Sequence, residues 1–239
     1  MRPLIDRRRR EGHSARCDST LWVRGFYMKR PRILLADDHV LMAEALQHML
    51  QADFDVVGRV SDGRALLKAA AELRPDVALV DIGMPLLNGL DAGEQLKALQ
   101  PEIKVIYLTQ SHEPRFAVEA FRRGASGYLL KESAASELTK AIREALKGRA
   151  YVSPLIAKGM INYTADPAAA QQILRELSSR EREVLQLLAE GKSMKEVAAV
   201  LDISPKTVEF HKYRIMEHLG VRTTAELVQY AIKIGLIAP

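Results

Sequence analysis

From residue 32 onward the chain alternates short apolar runs with stretches of helical period. Ile33-Leu34-Leu35-Ala36 has the length of a buried strand, and Phe54–Val60, Val77–Val80, Ile103–Leu108 and Gly127–Leu130 are four more such runs. A helical stretch with Leu41, Ala45, Leu46, Met49 and Leu50 on one face follows the first of them. Others lie near 64–73, 89–99, 115–123 and 134–148. Five strands alternating with five helices predict a doubly wound α/β domain, a five-stranded parallel sheet covered on both faces. Ligands of such sheets bind at the carboxyl ends of the strands.

The rhythm breaks at 151–172. Pro154, Gly159 and Pro167 interrupt any long helix there, so the span reads as an interdomain linker, helical in part. From 173 to 239 the pattern is wholly helical. Ser178-x-x-Glu181, Ser193-x-x-Glu196 and Thr223-x-x-Glu226 each fit a capping box, and Ser204-Pro205 sets a cap before a first-turn proline. Gly191 and Gly220 stand where helix ends take a left-handed residue. Four short helices are expected, near 179–190, 194–201, 205–219 and 224–234.

Composition narrows the class. Of 239 residues 48% are apolar and 27% charged, which excludes wholesale disorder. No apolar run approaches the roughly 18 residues of a membrane-spanning helix. Cys17 is the only cysteine, so neither an internal disulfide nor a thiolate zinc site can form, and a reducing, cytoplasmic setting is expected. The net charge of +5 is unevenly spread: residues 1–27 hold seven arginines against Asp6, Glu11 and Asp18, leaving +1 for all the rest. That leader reads as a phosphate-binding arm or, more simply, as an over-extended start before Met28, disordered or not native. A secretory signal is excluded, because no apolar core follows the arginines.

The strand ends carry the chemistry. Strand one runs out in Ala36-Asp37-Asp38-His39, strand three in Val80-Asp81, strand four in Leu108-Thr109 and strand five in Leu130-Lys131. One sheet edge thus collects three carboxylates, a hydroxyl and an ammonium. Each residue alone has an ordinary explanation: a helix cap, a turn residue, a solvated lysine. Convergence of all five is what makes the edge a candidate site. Adjacent carboxylates repel unless a cation sits among them, which suits Mg²⁺. An Asp there can accept a phosphoryl group as an acyl phosphate, with the lysine and threonine on the phosphoryl oxygens. Aspartyl-phosphate phosphatases use a similar layout, but they need a second acid two residues after the nucleophile, where this chain has Gly83.

Helices 194–201 and 205–219 are joined by Asp202-Ile203-Ser204, the geometry of a helix-turn-helix. Val208, Ile215 and Leu219 form the inward stripe of the second helix, with His211 partly on it. Lys206, Thr207, Glu209, Phe210, Tyr213 and Glu217 face outward, near Lys212 and Arg214. Outward aromatics among cations suit a helix entering a major groove; a protein-docking bundle is the alternative.

These strings point to known families. Residues 32–148 resemble the flavodoxin-like receiver domain of two-component response regulators, in spacings of 43, 28 and 22 between residues 38, 81, 109 and 131. The matching strings are Leu35-Ala36-Asp37-Asp38-His39, Asp81-Ile82-Gly83-Met84-Pro85, Asn88-Gly89 and Gly124–Lys131. Leu177–Leu185, Gly191-Lys192-Ser193 and Ser204–His211 resemble a LuxR-type DNA-binding domain, so the whole is similar to the NarL/FixJ class. The resemblance implies a receiver at 28–150, a linker at 151–172 and a helix-turn-helix domain at 173–239. It implies Asp81 as phosphoacceptor, Asp38, Asp81 and the Gly83 carbonyl on Mg²⁺ with Asp37 acting through water, and Thr109 and Lys131 on the phosphoryl group. Tyr128 would be the switch aromatic. Lys192, Ser193, Lys206, Thr207, Glu209, Phe210, His211, Lys212, Tyr213 and Arg214 would face DNA. A sensor histidine kinase, promoter duplex and a homodimer on phosphorylation or DNA binding are the implied partners, with no enzymatic turnover of external substrates and no membrane. Asp202 replaces the usual turn glycine, and Glu209 would repel phosphate or accept from a cytosine amino group.

Overall fold

The computed structural model describes residues 30–163 and 177–237; the arginine-rich leader lies outside the described residues. Strands β1 (Arg32–Ala36), β2 (Asp55–Val60), β3 (Val77–Asp81), β4 (Lys104–Thr109) and β5 (Gly127–Leu130) alternate with five helices. These are α1 (Val40–Leu50), α2 (Gly63–Leu73), α3 (Gly89–Leu99), α4 (Pro114–Arg122) and α5 (Ala134–Leu146). All strand pairs are parallel, in the order β2-β1-β3-β4-β5-β6, where β6 is Tyr151–Val152.

The sixth strand was not expected. Tyr151–Val152 form β6, parallel to β5, and Pro154–Tyr163 form α6. Two residues are too few to show a period. The proline that reads as a breaker is the first residue of a helix, where its missing N–H costs nothing. β6 covers the open edge of β5 through Tyr151 N–H to the Ser126 carbonyl (3.1 Å) and Ser153 N–H to the Tyr128 carbonyl (3.0 Å). α6 then lies on α4, so close that a Cβ on Gly159 would stand 2.4 Å from Pro114 Cγ.

Two cores sandwich the sheet. Ile33, Leu35, Leu79, Ile106 and Leu129 face α1 and α5 through Leu46, Leu50, Leu138 and Ile142. Leu34, Ala78, Val80, Val105 and Tyr107 face the other way, onto Leu66, Leu96, Phe116 and Ile156. Successive strand residues point to opposite faces, so near-continuous apolar runs are what a sheet buried on both sides requires. The buried face of α1 is Ala43, Leu46 and Leu50 rather than the stripe read from sequence. Leu41 is 81% exposed, and Val40 beside it 63%. A short helix rich in apolar residues admits two overlapping stripes, and only the sheet selects one.

The second domain is four helices: α7 (Ser179–Ala189), α8 (Met194–Leu201), α9 (Pro205–Leu219) and α10 (Thr224–Lys233). Capping boxes are closed at Ser178/Glu181, Ser193/Glu196 and Thr223/Glu226, and Ser204 accepts from the Thr207 N–H. Asp202 ends α8 in left-handed geometry (φ 52°), a conformation short polar side chains tolerate. Val208 and Ile215 are fully buried among Val184, Leu185, Leu187, Val197, Leu227 and Ala231. Among the described residues no helix is long and apolar enough to cross a membrane.

Candidate functional site

Chain reversal between β1 and β3 opens the crevice in which the sheet's carboxyl ends meet. Asp37 and Asp81 lie there almost wholly buried, with Lys131 between them: its Nζ is 2.8 Å from a carboxylate oxygen of each. Asp38 points outward, its side chain one-third exposed. The Gly83 N–H donates to Asp81 Oδ1 (3.3 Å), which ties the loop after β3 to that carboxylate. Thr109 is buried at the end of β4, its Oγ1 accepting from the Ser111 N–H (3.0 Å). Asp81, Gly83, Thr109, Ser111 and Lys131 line one cavity of about 460 Å³.

Two negative charges and one positive in a buried cluster leave an excess of one anion. Burial pushes the Asp81 carboxyl up; Lys131 opposes this, Asp37 adds to it, and the net direction is up. Burial pulls the Lys131 ammonium down, but its bonds to Asp37 and Asp81 outweigh that and hold it above its ordinary value. A further positive charge is what such a cluster accepts. The donor atoms of Asp37, Asp38, His39 and Asp81 all lie within 4.8 Å of one another, close enough to share one ion. Hard carboxylate oxygens in that number fit Mg²⁺. His39 was not singled out from sequence; its Nδ1 is 2.9 Å from Asp38 Oδ1 and 3.3 Å from Asp37 Oδ1.

Gly89 has a reason the sequence motif alone does not state. A Cβ at this position would stand 2.0 Å from the backbone oxygen of Asp81. Gly89→Ala is expected to force β3 and α3 apart, costing about 3 kcal/mol, at the upper end for overpacking, and to disturb Asp81. Urea unfolding checks it; an unchanged midpoint would show that the loop yields freely.

Tyr128 is fully buried beneath the site, and burial drives its phenol well above the ordinary range, with the hydroxyl facing Thr109. The proposed nucleic-acid residues sit on the opposite domain. On α9, Lys206, Glu209, Phe210, Tyr213 and Arg214 are exposed, Thr207, His211 and Lys212 partly so. Phe210 is 57% and Tyr213 64% exposed. Not every cation is free: Lys212 Nζ donates to Thr224 Oγ1 (3.0 Å) and Arg214 lies 3.4 Å from Glu181. Ser193 is engaged as the cap of α8, with Lys192 just before it.

The sequence reading did not single out the side chains that join the domains. Gln186 interrupts the apolar run Val184-Leu185-Gln186-Leu187-Leu188 and is completely buried against the loop after β3. A polar residue inside an apolar run was the one available signal.

The chain matches the response regulator receiver domain over residues 33–143 and the luxR family of bacterial regulatory proteins over 175–231. It is 35% identical over 209 residues to the response regulator GacA of Pseudomonas aeruginosa, covering 86% of this chain and 97% of that one. The oxygen regulatory protein NreC of Staphylococcus aureus is 36% identical over 214 residues, covering 86% and 99%. Among solved structures, the RcsB response regulator of Salmonella typhimurium superimposes with a TM-score of 0.61 at 27% identity, over 87% of this chain and 99% of that one. RcsB from Salmonella enterica serovar Typhimurium, bound to promoter P1flhDC in the presence of the phosphomimetic BeF3-, gives 0.58 at 28%, over 84% and 98%. With a receiver sheet at one end and a capped helix-turn-helix at the other, this chain belongs to the response regulators of two-component systems that carry a luxR-type DNA-binding domain.

Proposed function

We propose that Asp81 accepts a phosphoryl group from a sensor histidine kinase, and that this controls dimerisation and binding of α9 to promoter DNA. The observation that carries the reading is the buried Asp37–Lys131–Asp81 cluster opening into the cavity that Thr109 also lines. A carboxylate oxygen of Asp81 attacks phosphorus, the bond from phosphorus to the donor nitrogen or oxygen breaks, and an acyl phosphate remains. Lys131 can leave Asp81 for the phosphoryl oxygens while keeping Asp37, and Thr109 can donate its hydroxyl to another. Mg²⁺ held by Asp38, Asp81 and the Gly83 carbonyl, with Asp37 through water, would add Lewis-acid charge at the same oxygens. Gly83 brings no side chain to orient an attacking water, so the acyl phosphate is expected to outlast seconds.

We take residues 28–150 as the receiver domain and 173–239 as the DNA-binding domain; β6 and α6 carry the receiver's sheet and core past residue 150, as far as Tyr163. Two copies would read inverted half-sites about one helical turn apart. The test is to incubate the full chain with Mg²⁺ and acetyl phosphate and follow intact mass and binding to a random-sequence duplex pool. Wild type should gain one phosphoryl group and bind DNA more tightly, and Asp81→Asn should do neither. Equal DNA binding by both would remove phosphoryl control from the reading.

A further inference from the structure

We propose that Ser153, one residue past β6 and outside the five strands that carry the site, is a positioning residue for phosphoryl transfer: its hydroxyl fixes the turn from which Lys131 reaches the phosphoryl group. This rests on Asp81 being the acceptor. At Ser153 the chain passes directly from strand to helix. Its N–H still belongs to the sheet and donates to the Tyr128 carbonyl (3.0 Å). Its carbonyl already belongs to α6, accepting from the N–H groups of Ile156 and Ala157 (both 3.0 Å). A parallel ladder would next bring the Leu130 N–H to that carbonyl, which is committed elsewhere. Leu130 donates instead to the Ser153 hydroxyl (3.4 Å), so a side chain stands in for the backbone. Leu130 and Ser153 are each 1% exposed, so water cannot take the place of that hydroxyl.

The hydroxyl is used to capacity. Its one hydrogen goes to Glu137 Oε2 in the first turn of α5 (2.6 Å). Its oxygen therefore accepts from Ser133 Oγ (3.1 Å), whose hydrogen is shared with the Leu130 carbonyl (3.2 Å). Glu137 also holds the hydroxyl of Tyr151, from β6 itself. Between Leu130 and α5 lies the single 3₁₀ turn Lys131–Ser133, closed by the Ala134 N–H on the Lys131 carbonyl. One buried hydroxyl thus ties together the end of β5, the far end of this turn and the start of α5. Lys131 is the first residue of the turn so enclosed.

The other groups of the site need no such help. Asp37, Asp81 and Thr109 end or follow β1, β3 and β4, and each of those strands has a full neighbour on both sides. Lys131 follows β5, whose outer edge is paired with two residues only. There the Ser153 hydroxyl does what a longer sixth strand would do. Lysine is a point charge on a flexible four-carbon stem, so the place of its backbone decides where the ammonium can go. Lys131 Nζ now lies 2.8 Å from both Asp37 and Asp81. On transfer it moves to the phosphoryl oxygens, and the turn behind it has to stay in place. A misplacement of about 1 Å at a reacting centre costs about a hundredfold in rate.

Ser153→Thr and Ser153→Val, made in the full chain, have the same shape and differ by the hydroxyl. Fluorine NMR with Mg²⁺ and beryllofluoride reads loading of Asp81, and calorimetry reads affinity for Mg²⁺ alone. Ser153→Val should weaken beryllofluoride binding, and slow phosphorylation by acetyl phosphate, by about tenfold each, a fraction of what a full 1 Å shift costs. Ser153→Thr should stay within about threefold of wild type in both, since it keeps the acceptor for Leu130. Neither should weaken Mg²⁺ binding, because the proposed ligands of the cation follow β1 and β3. Equal loading by the two variants would overturn the proposal, and so would parallel loss of Mg²⁺ and beryllofluoride, the mark of a site merely loosened. If the added methyl keeps both variants from folding, Ser133→Ala decides. It cuts the same tie from the half-buried turn and should weaken loading about fivefold, the worth of one such bond; loading like wild type would overturn the proposal. A missing bound-fluoride signal in wild type would instead strike the acceptor reading, and the proposal with it.

Discussion

Lys131→Met is expected to lower the stability of the receiver by about 3 kcal/mol at neutral pH in the absence of divalent cation, the cost of leaving buried charge unpaired. Lys131, Asp37 and Asp81 side chains are 4%, 2% and 6% exposed, so water cannot replace the lost ammonium. Methionine keeps the length of the chain and most of its packing, which separates charge from volume. The sign of the pH dependence follows. Burial already holds the Asp81 carboxyl above its unfolded value, and removing Lys131 takes away the ammonium that opposes the rise. A carboxyl whose folded pKa is raised binds more protons when folded, so the deficit is full at neutral pH. It shrinks as pH falls toward about 4, the unfolded carboxyl value. Adding Mg²⁺ should stabilise the variant more than wild type, because two facing carboxylates then lack any other cation. Denaturant unfolding from pH 4 to 8, with and without Mg²⁺, measures all three. A deficit that stays constant with pH would mean that Lys131 stabilises by packing alone.

The second large effect falls on DNA. Replacing Lys206 and Lys212 together by alanine should weaken binding to a mixed duplex pool between tenfold and a hundredfold near physiological salt. The slope of log affinity against log salt should become shallower by about 1.8, since each phosphate contact contributes about 0.9. Lys206 is exposed and Lys212 holds only the Thr224 hydroxyl, so little folding stability depends on either. Phe210→Ala is the companion. Phe210 is 57% exposed and touches His211 edge-on, with Arg214 5.9 Å from its ring centre. Its removal should leave stability within about 0.5 kcal/mol yet cost affinity without changing the salt slope. If DNA binding survives all three substitutions with an unchanged slope, the exposed face of α9 serves another partner.

How far the sequence carried can be judged residue by residue. The strand-end cluster was legible because strand ends in a parallel sheet share one edge: knowing the strands is enough to bring Asp37, Asp81, Thr109 and Lys131 together. The inward stripe of α9 was legible for a similar reason, since Val208 and Ile215 are seven residues apart on a helix of known phase. α1 was misjudged, because Leu41 and Met49 are as apolar as Leu46 and Leu50 and only the sheet decides which face is buried. β6 was missed because a two-residue strand exists only by virtue of the open edge beside it.

By itself, the sequence determined the alternation that makes a parallel sheet, the caps that start each helix of the second domain, and the residue types gathered at the strand ends. These are local properties: periodicity, capping and turn chemistry act within a few residues of each other. Tertiary structure alone decided that Lys131 bridges Asp37 and Asp81, that Gly89 must lack a side chain beside the Asp81 backbone, and that Gln186 reaches the loop at Met84 and Asn88. Each of those depends on atoms about fifty to a hundred residues apart, or on a close approach between two elements. No pattern within one segment encodes such contacts, since they follow from how the sheet twists and which helix face it buries.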